Sequence, residues 1–218
     1  MVKAVIFDMD GVIIDSEPAH VKFEKEIFKN LGIAVTEEEH MGFVGTTSHY
    51  MWETLRVKNE LKQSLEELVN NDRVQYLEYL KSDKNEVVLI EGVREFIKEL
   101  HDNGVKLAIA SSSPLDVIKI VVKRYELQEF FDELVTGDYV ENSKPAPDVF
   151  LYAASKLGVK PEECIVIEDS CNGTKAAKNA GMKCIGYKNL NSGNQDLSCG
   201  DFITDSFLKI NYNFISEF

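Results

Sequence analysis

The sequence predicts an α/β protein with a mainly parallel sheet and one inserted helical region, on three observations. Short apolar runs rich in β-branched residues recur along the chain, each ending abruptly at a polar residue. Amphipathic helical patterns lie between those runs, the alternation that builds a parallel sheet. A single long stretch, from about Glu17 to about Glu86, breaks the alternation and carries helical patterns alone.

The first run, Val2 to Phe7, stops at Asp8 and reads as a buried strand feeding a loop. Lys106 to Ala110 stops in the same way at Ser111, and Cys164 to Ile167 stops at Glu168–Asp169. Lys183 to Tyr187 is a fourth strand, Glu133 to Thr136 a weaker fifth, and Phe202–Ile203 a short candidate in an otherwise polar tail after Leu190. Gly92 to Asp102 places Val93, Phe96, Ile97 and Leu100 at helical spacing, with Gly104 as terminator. Pro114 to Tyr125 forms a second helix, with Ser113 as N-cap and Pro114 in its first turn. Asp148 to Leu157 and Gly173 to Ala180 form two more, each followed by glycine. In the inserted stretch, Phe23, Ile27, Phe28 and Leu31 make one apolar face, and Leu61, Leu65, Leu68, Val69, Tyr76 and Leu80 make another. The expected domains are therefore a core of residues 1–15 plus 87–218 and a helical domain of 16–86.

A chain of 218 residues can hold one good core and a small insert, and 44% hydrophobic with 28% charged residues is a globular balance, not a disordered one. The net charge, 24 − 37 = −13, repels phosphate backbones and anionic lipid, so neither nucleic acid nor a membrane is expected as partner. A small phosphate ester is compatible with that charge where local cations override the field. Cys164, Cys171, Cys184 and Cys199 form no C-x-x-C pair and read as reduced thiols of a cytoplasmic protein. The apolar run at Ala4 to Phe7 is too short for a secretory signal, and no window approaches a membrane span.

In an open α/β sheet, ligands bind beyond the carboxyl ends of the strands. Three strand ends here deliver polar groups: Asp8 and Asp10, then Ser111, then Glu168 and Asp169. Carboxylates at i and i+2 converge on one cation if the chain turns between them, and Gly11 permits the turn. An isolated Asp-x-Asp-Gly is as compatible with a capped turn as with chemistry. Ser111 to Ser113 before a helix suit either an anion site or simple capping. Lys144, stiffened by Pro145 and Pro147, can offset repulsion between a carboxylate nucleophile and a phosphate. Acidic residues directly after a buried strand are costly unless a cation meets them, and hard oxygens suit Mg²⁺.

Together, Asp8-Met9-Asp10-Gly11-Val12, Ser111, Lys144-Pro145 and Glu168-Asp169-Ser170 resemble, in order and spacing, the haloacid dehalogenase (HAD) superfamily. Within it the chain is similar to the β-phosphoglucomutase/phosphatase subgroup. The resemblance implies a Rossmann-like parallel sheet core with an inserted α-helical cap domain, and a Mg²⁺-dependent phosphatase. It implies that Asp8 is the nucleophile that forms an aspartyl-phosphate, Asp10 the acid–base, Ser111 and Lys144 the phosphate anchors, and Asp8, Asp10, Glu168 and Asp169 the metal set. Ser112 and Ser113 would help to bind substrate, along with His20, Gly45, Thr46, Thr47 and His49 of the cap, and Trp52 would face either the substrate or the cap core. The implied substrate is a small phosphate ester, a sugar phosphate foremost, and the implied state is a monomer. The alternatives are a phosphomutase and a catalytically silent binding protein. Mutases of the subgroup carry cationic anchors where this chain has Val44-Gly45-Thr46-Thr47-Ser48-His49 and Ser112-Ser113-Pro114-Leu115, so hydrolysis is preferred.

Overall fold

The structure, a computed structural model, describes residues 2–43, 47–83 and 85–218. Its centre is the strand β1 (Ala4–Phe7), four residues with no solvent exposure. Burial of such side chains stabilises the fold by about 1.5–3 kcal/mol for each large one, which is why this apolar run takes the middle of the sheet. β1 pairs in parallel with β4 (Lys106–Ser111) on one side and β6 (Cys164–Glu168) on the other. β5 (Glu133–Thr136) extends the sheet beyond β4, while β7 (Lys183–Tyr187) and β8 (Phe202–Thr204) extend it beyond β6. The order is β5-β4-β1-β6-β7-β8. Chain direction across the sheet reverses at β1, so the crevice beside β1 is the switch point where such sheets bind ligands.

Helices α5 (Val93–Asp102), α6 (Leu115–Arg124), α7 (Asp148–Leu157) and α8 (Cys171–Asn179) connect these strands. Residues of α7 and α8, among them Phe150, Ala153, Ala176 and Ala177, pack with Ile6, Ala108 and Val166 in one buried cluster. Two strands escape a reading of the sequence: β2 (Ile14–Asp15) and β3 (Val88–Leu89) form a two-residue antiparallel ribbon, too short to carry a period. A final short helix, α9 (Tyr212–Glu217), follows β8.

The described chain divides into two compact units, one of residues up to Asp15 with Val88–Phe218 and one of Ser16–Val87. Val87, assigned to the core from the sequence, falls in the helical unit. That unit contains α1 (Glu17–Leu31), α2 (Glu37–Met41), α3 (Ser48–Lys58) and α4 (Leu65–Lys81). Ser64 and Glu67 form a reciprocal capping box that starts α4. Among the described residues no helix is long and apolar enough to cross a membrane. The four cysteines are free, and burial pushes the Cys164 thiol up to about 12, which leaves it unreactive.

Candidate active site

The register of the sheet assembles the site. Phe7 lies level with Ile109 on one side and Ile167 on the other, so the residues that follow, Asp8, Ala110–Ser111 and Glu168–Asp169, share one edge. The Asp8 backbone N–H donates to Ile167 O at 2.9 Å, holding the loop after β1 against β6. Asp8 is buried, and its carboxylate is ion-paired to the equally buried Lys144. Lys144 Nζ also donates to Glu168 Oε1 at 2.9 Å and to Ala110 O at 3.2 Å, and sits over the Phe150 ring at 4.9 Å. One ammonium thus joins three of the strand ends.

Burial drives the Asp8 carboxyl upward; Lys144 pulls it back, and Glu168 and Asp10 push it up again, leaving it at about 7. Burial alone would lower Lys144, but Asp8 and Glu168 hold its proton more firmly than usual, so it remains a cation at any physiological pH. Asp10 is half-buried and accepts a hydrogen bond on Oδ2 from Ser113 Oγ at 2.7 Å. Ser113 therefore does not cap α6, as the sequence suggested. The helix starts one residue later, with Pro114 in the N-cap position and no side-chain cap, because the Ser113 hydroxyl is engaged by Asp10. Ser111 is buried and its Oγ accepts the Ser113 N–H at 3.0 Å, whereas Ser112 is exposed.

Glu168 has both carboxylate oxygens engaged: Oε1 by Lys144, and Oε2 by the Ser170 N–H at 2.7 Å and Ser170 Oγ at 2.9 Å. Asp169 Oδ2 accepts from Ser192 Oγ at 2.5 Å. Gly11 adopts φ +77°, and a Cβ there would lie 1.9 Å from Asp169 Oδ2, so only glycine lets the two acidic loops approach this closely. The loops after β1 and β6 carry four carboxylates, two on each, and the Lys144 ammonium pairs with two of them, Asp8 and Glu168. That surplus of buried negative charge and its hard oxygen donors fit a divalent cation such as Mg²⁺. Among the described residues no group of three or more His, Cys, Asp or Glu side chains converges to hold a metal ion.

The remaining expected site residues belong to the helical unit. His20, in α1, stacks on Tyr76 with centroids 4.0 Å apart. Thr47 caps α3, its hydroxyl accepting the Tyr50 N–H at 3.2 Å, and His49 is exposed in the first turn of the same helix. Gly45 and Thr46 lie outside the described residues. Trp52 is wholly buried and belongs to the cap core, not to a substrate-facing surface. Two participants escape the sequence reading. Thr136, at the end of β5, donates to Ser113 O at 2.8 Å and fixes the serine loop. Ser192 lies in the loop beyond β7, not directly after the strand, and no local spacing marks it.

A buried Asp–Lys–Glu chain thus lies at the switch point of a parallel sheet, with a second Asp two residues on from the first. The chain belongs to the haloacid dehalogenase-like hydrolase family, which it matches over residues 5–187, and is an enzyme of that class. It is 33% identical to the phosphorylated carbohydrates phosphatase of Thermotoga maritima, over 91% of each chain. It is 32% identical to hexitol phosphatase B of Escherichia coli strain K12, over 84% of this chain and 82% of that one. Its structure superposes on CbbY from Rhodobacter sphaeroides in complex with phosphate with a TM-score of 0.84 at 26% identity, covering 99% of this chain and 100% of the other.

Proposed function

We propose that the chain is a Mg²⁺-dependent phosphatase of small phosphate monoesters, sugar phosphates foremost, working through an aspartyl-phosphate on Asp8. The single observation that carries this reading is the buried Asp8 carboxylate held by Lys144 at the switch point of the sheet. The names of the relatives, a phosphorylated carbohydrates phosphatase and a hexitol phosphatase, support the substrate class.

Lys144 screens the charge of Asp8, so that a carboxylate oxygen can approach an anionic phosphoryl group. Asp8 attacks phosphorus, the bond from phosphorus to the ester oxygen breaks, and Asp10 gives that oxygen its proton. Asp10, now a carboxylate, takes a proton from water as the water oxygen attacks the aspartyl-phosphate. The bond from phosphorus to Asp8 breaks, releasing inorganic phosphate and restoring both residues. Ser113 holds one Asp10 oxygen throughout and thereby aims the other, while Ser111 anchors a phosphate oxygen. The Asp8 side chain, the Asp10 carbonyl and Asp169 would hold Mg²⁺, with Glu168 acting through Lys144 and Ser170. When bound, the metal neutralises charge on the transferring group.

The test is turnover of p-nitrophenyl phosphate and a panel of sugar phosphates with Mg²⁺. Asp8→Asn lowers kcat by at least about 1,000-fold, and Asp10→Asn still accumulates some phosphoenzyme. A folded, metal-loaded sample without turnover, or Asp8→Asn with normal turnover, removes this function. Conversion of β-glucose 1-phosphate to glucose 6-phosphate faster than phosphate release, given a trace of bisphosphate, replaces hydrolysis with mutase chemistry.

A further inference from the structure

The loop that follows β7 reaches the acidic end of the sheet through a set of hydrogen bonds that play no part in the proposed chemistry. Ser192 is buried and donates to Asp169 Oδ2 at 2.5 Å. Asn189, also buried, donates from Nδ2 to Gly11 O at 3.1 Å and accepts the Asn191 N–H on Oδ1 at 2.8 Å. Gln195 accepts the Cys171 N–H on Oε1 at 3.0 Å, and its Nε2 donates to Ser192 O at 3.2 Å. Asn191 Nδ2 donates to Asp15 Oδ2 at 2.7 Å. One seven-residue stretch, 189–195, therefore holds the residue after Asp10, the Asp169 carboxylate, the first residue of α8 and the end of the nucleophile loop.

These contacts fall among the acidic residues at the sheet edge. The loops after β1 and β6 carry Asp8, Asp10, Glu168 and Asp169, with Lys144 as the cation between them. Lys144 bonds Asp8 and Glu168, Ser170 bonds Glu168, and Ser192 bonds Asp169. The packing is also tight: an added Cβ on Gly11 would fall 1.9 Å from Asp169 Oδ2 and 2.9 Å from Ser192 Oγ, so these three residues share one small volume. A hydroxyl that donates to one oxygen of a carboxylate fixes its rotamer and its plane, the role that outer hydrogen-bond donors take around metal sites.

We propose that the 189–195 loop is the positioning element of the divalent-cation site, and that Ser192 sets cation affinity by holding Asp169 in its ligating orientation. Gln195 and Asn189 act one step further out, anchoring Ser192 and the carbonyl of Gly11. This inference rests on the assignment of Asp169 as a metal ligand in the proposed function. Ser192 is a positioning residue, because it acts through Asp169 and not on the substrate.

The experiment measures Mn²⁺ binding by the intact chain, using the electron paramagnetic resonance signal of free Mn²⁺, alongside the unfolding midpoint in chelator. Ser192→Ala weakens Mn²⁺ binding by about 10-fold or more, while the metal-free midpoint stays close to wild type. Ser192→Thr, which keeps the hydroxyl, regains most of the affinity. Ser192→Ala that binds Mn²⁺ within about twofold of wild type overturns the proposal. Should Ser192→Ala not fold, Gln195→Ala decides: a loss of about threefold is expected, and unchanged affinity overturns the proposal. Wild-type binding that Asp169→Asn leaves intact removes the metal-site assignment itself. Asp169-dependent binding that Ser192→Ala does not weaken removes only the role of the loop.

Discussion

A methyl group on Gly173 would lie 1.7 Å from Glu168 Oε1 and 1.8 Å from its carboxyl carbon. Real Cβ atoms do not come this close, so Gly173→Ala must displace Glu168. Glu168 is the residue that ties Lys144 to Ser170, and the Ser170 hydroxyl in turn accepts the Gly173 N–H at 3.0 Å. Moving it leaves a buried ammonium with one carboxylate fewer and breaks the N-cap of α8. The expected outcome is a fall of about 100-fold in kcat/KM and a loss of about 2–4 kcal/mol of stability, since a buried charge is left underpaired. Steady-state kinetics with denaturant unfolding checks both. A variant that keeps wild-type activity shows that the position of Glu168 does not matter to the reaction.

At the scale of elements, the helical unit buries a group that the chemistry does not use. Asp72, in α4, is 5% exposed. Burial raises its carboxyl, Glu24 raises it further, and Trp52, His20 and Ser48 lower it again, leaving it at about 6. Glu24 is itself engaged by His40 Nε2 at 2.5 Å. Because the folded-state value lies above the unfolded one, Asp72 supports the fold while protonated, fully below about pH 4, and that support is lost as the pH rises through about 6. Asp72→Asn, permanently neutral, is therefore expected to raise stability by about 2 kcal/mol near pH 8 and by little near pH 4. Thermal unfolding at the two pH values reads this directly, and a variant less stable than wild type near pH 8 removes the argument. The sequence made the strands around β1 and helices such as α7 legible because burial imposes a period, and β5, β7 and α7 begin and end where the pattern does. It also made Asp8 and Glu168 stand out, as charge at the end of an apolar run, and Lys144, as a cation between Ser143 and the prolines Pro145 and Pro147. It concealed the β2–β3 ribbon, whose two-residue strands carry no period, and the start of α6, where Ser113 turns to a partner 103 residues away. Ser192 was hidden for a different reason: its partner is brought near by the β6–β7 pairing and not by any local spacing.

For the whole molecule, charge sets how substrate arrives. The chain carries a net charge of −13, yet the proposed substrate is an anion. The cation that meets it, Lys144, is buried and already paired with Asp8 and Glu168, so its field is largely cancelled beyond the crevice. The long-range potential is therefore repulsive, and attraction is left to the local donors and, under the proposed function, to the Mg²⁺ they would hold. Salt screens exposed charges over about 10 Å at 0.1 M but weakens close, buried pairs much less. Added salt should consequently relieve the repulsion more than it weakens binding. With Mg²⁺ held saturating, kcat/KM for a sugar phosphate is expected to rise about two- to threefold from about 10 mM to about 150 mM NaCl, while kcat stays constant. A fall in kcat/KM over that range would mean that a cationic field from the crevice reaches well into solvent, and that the acidic surface does not govern the encounter.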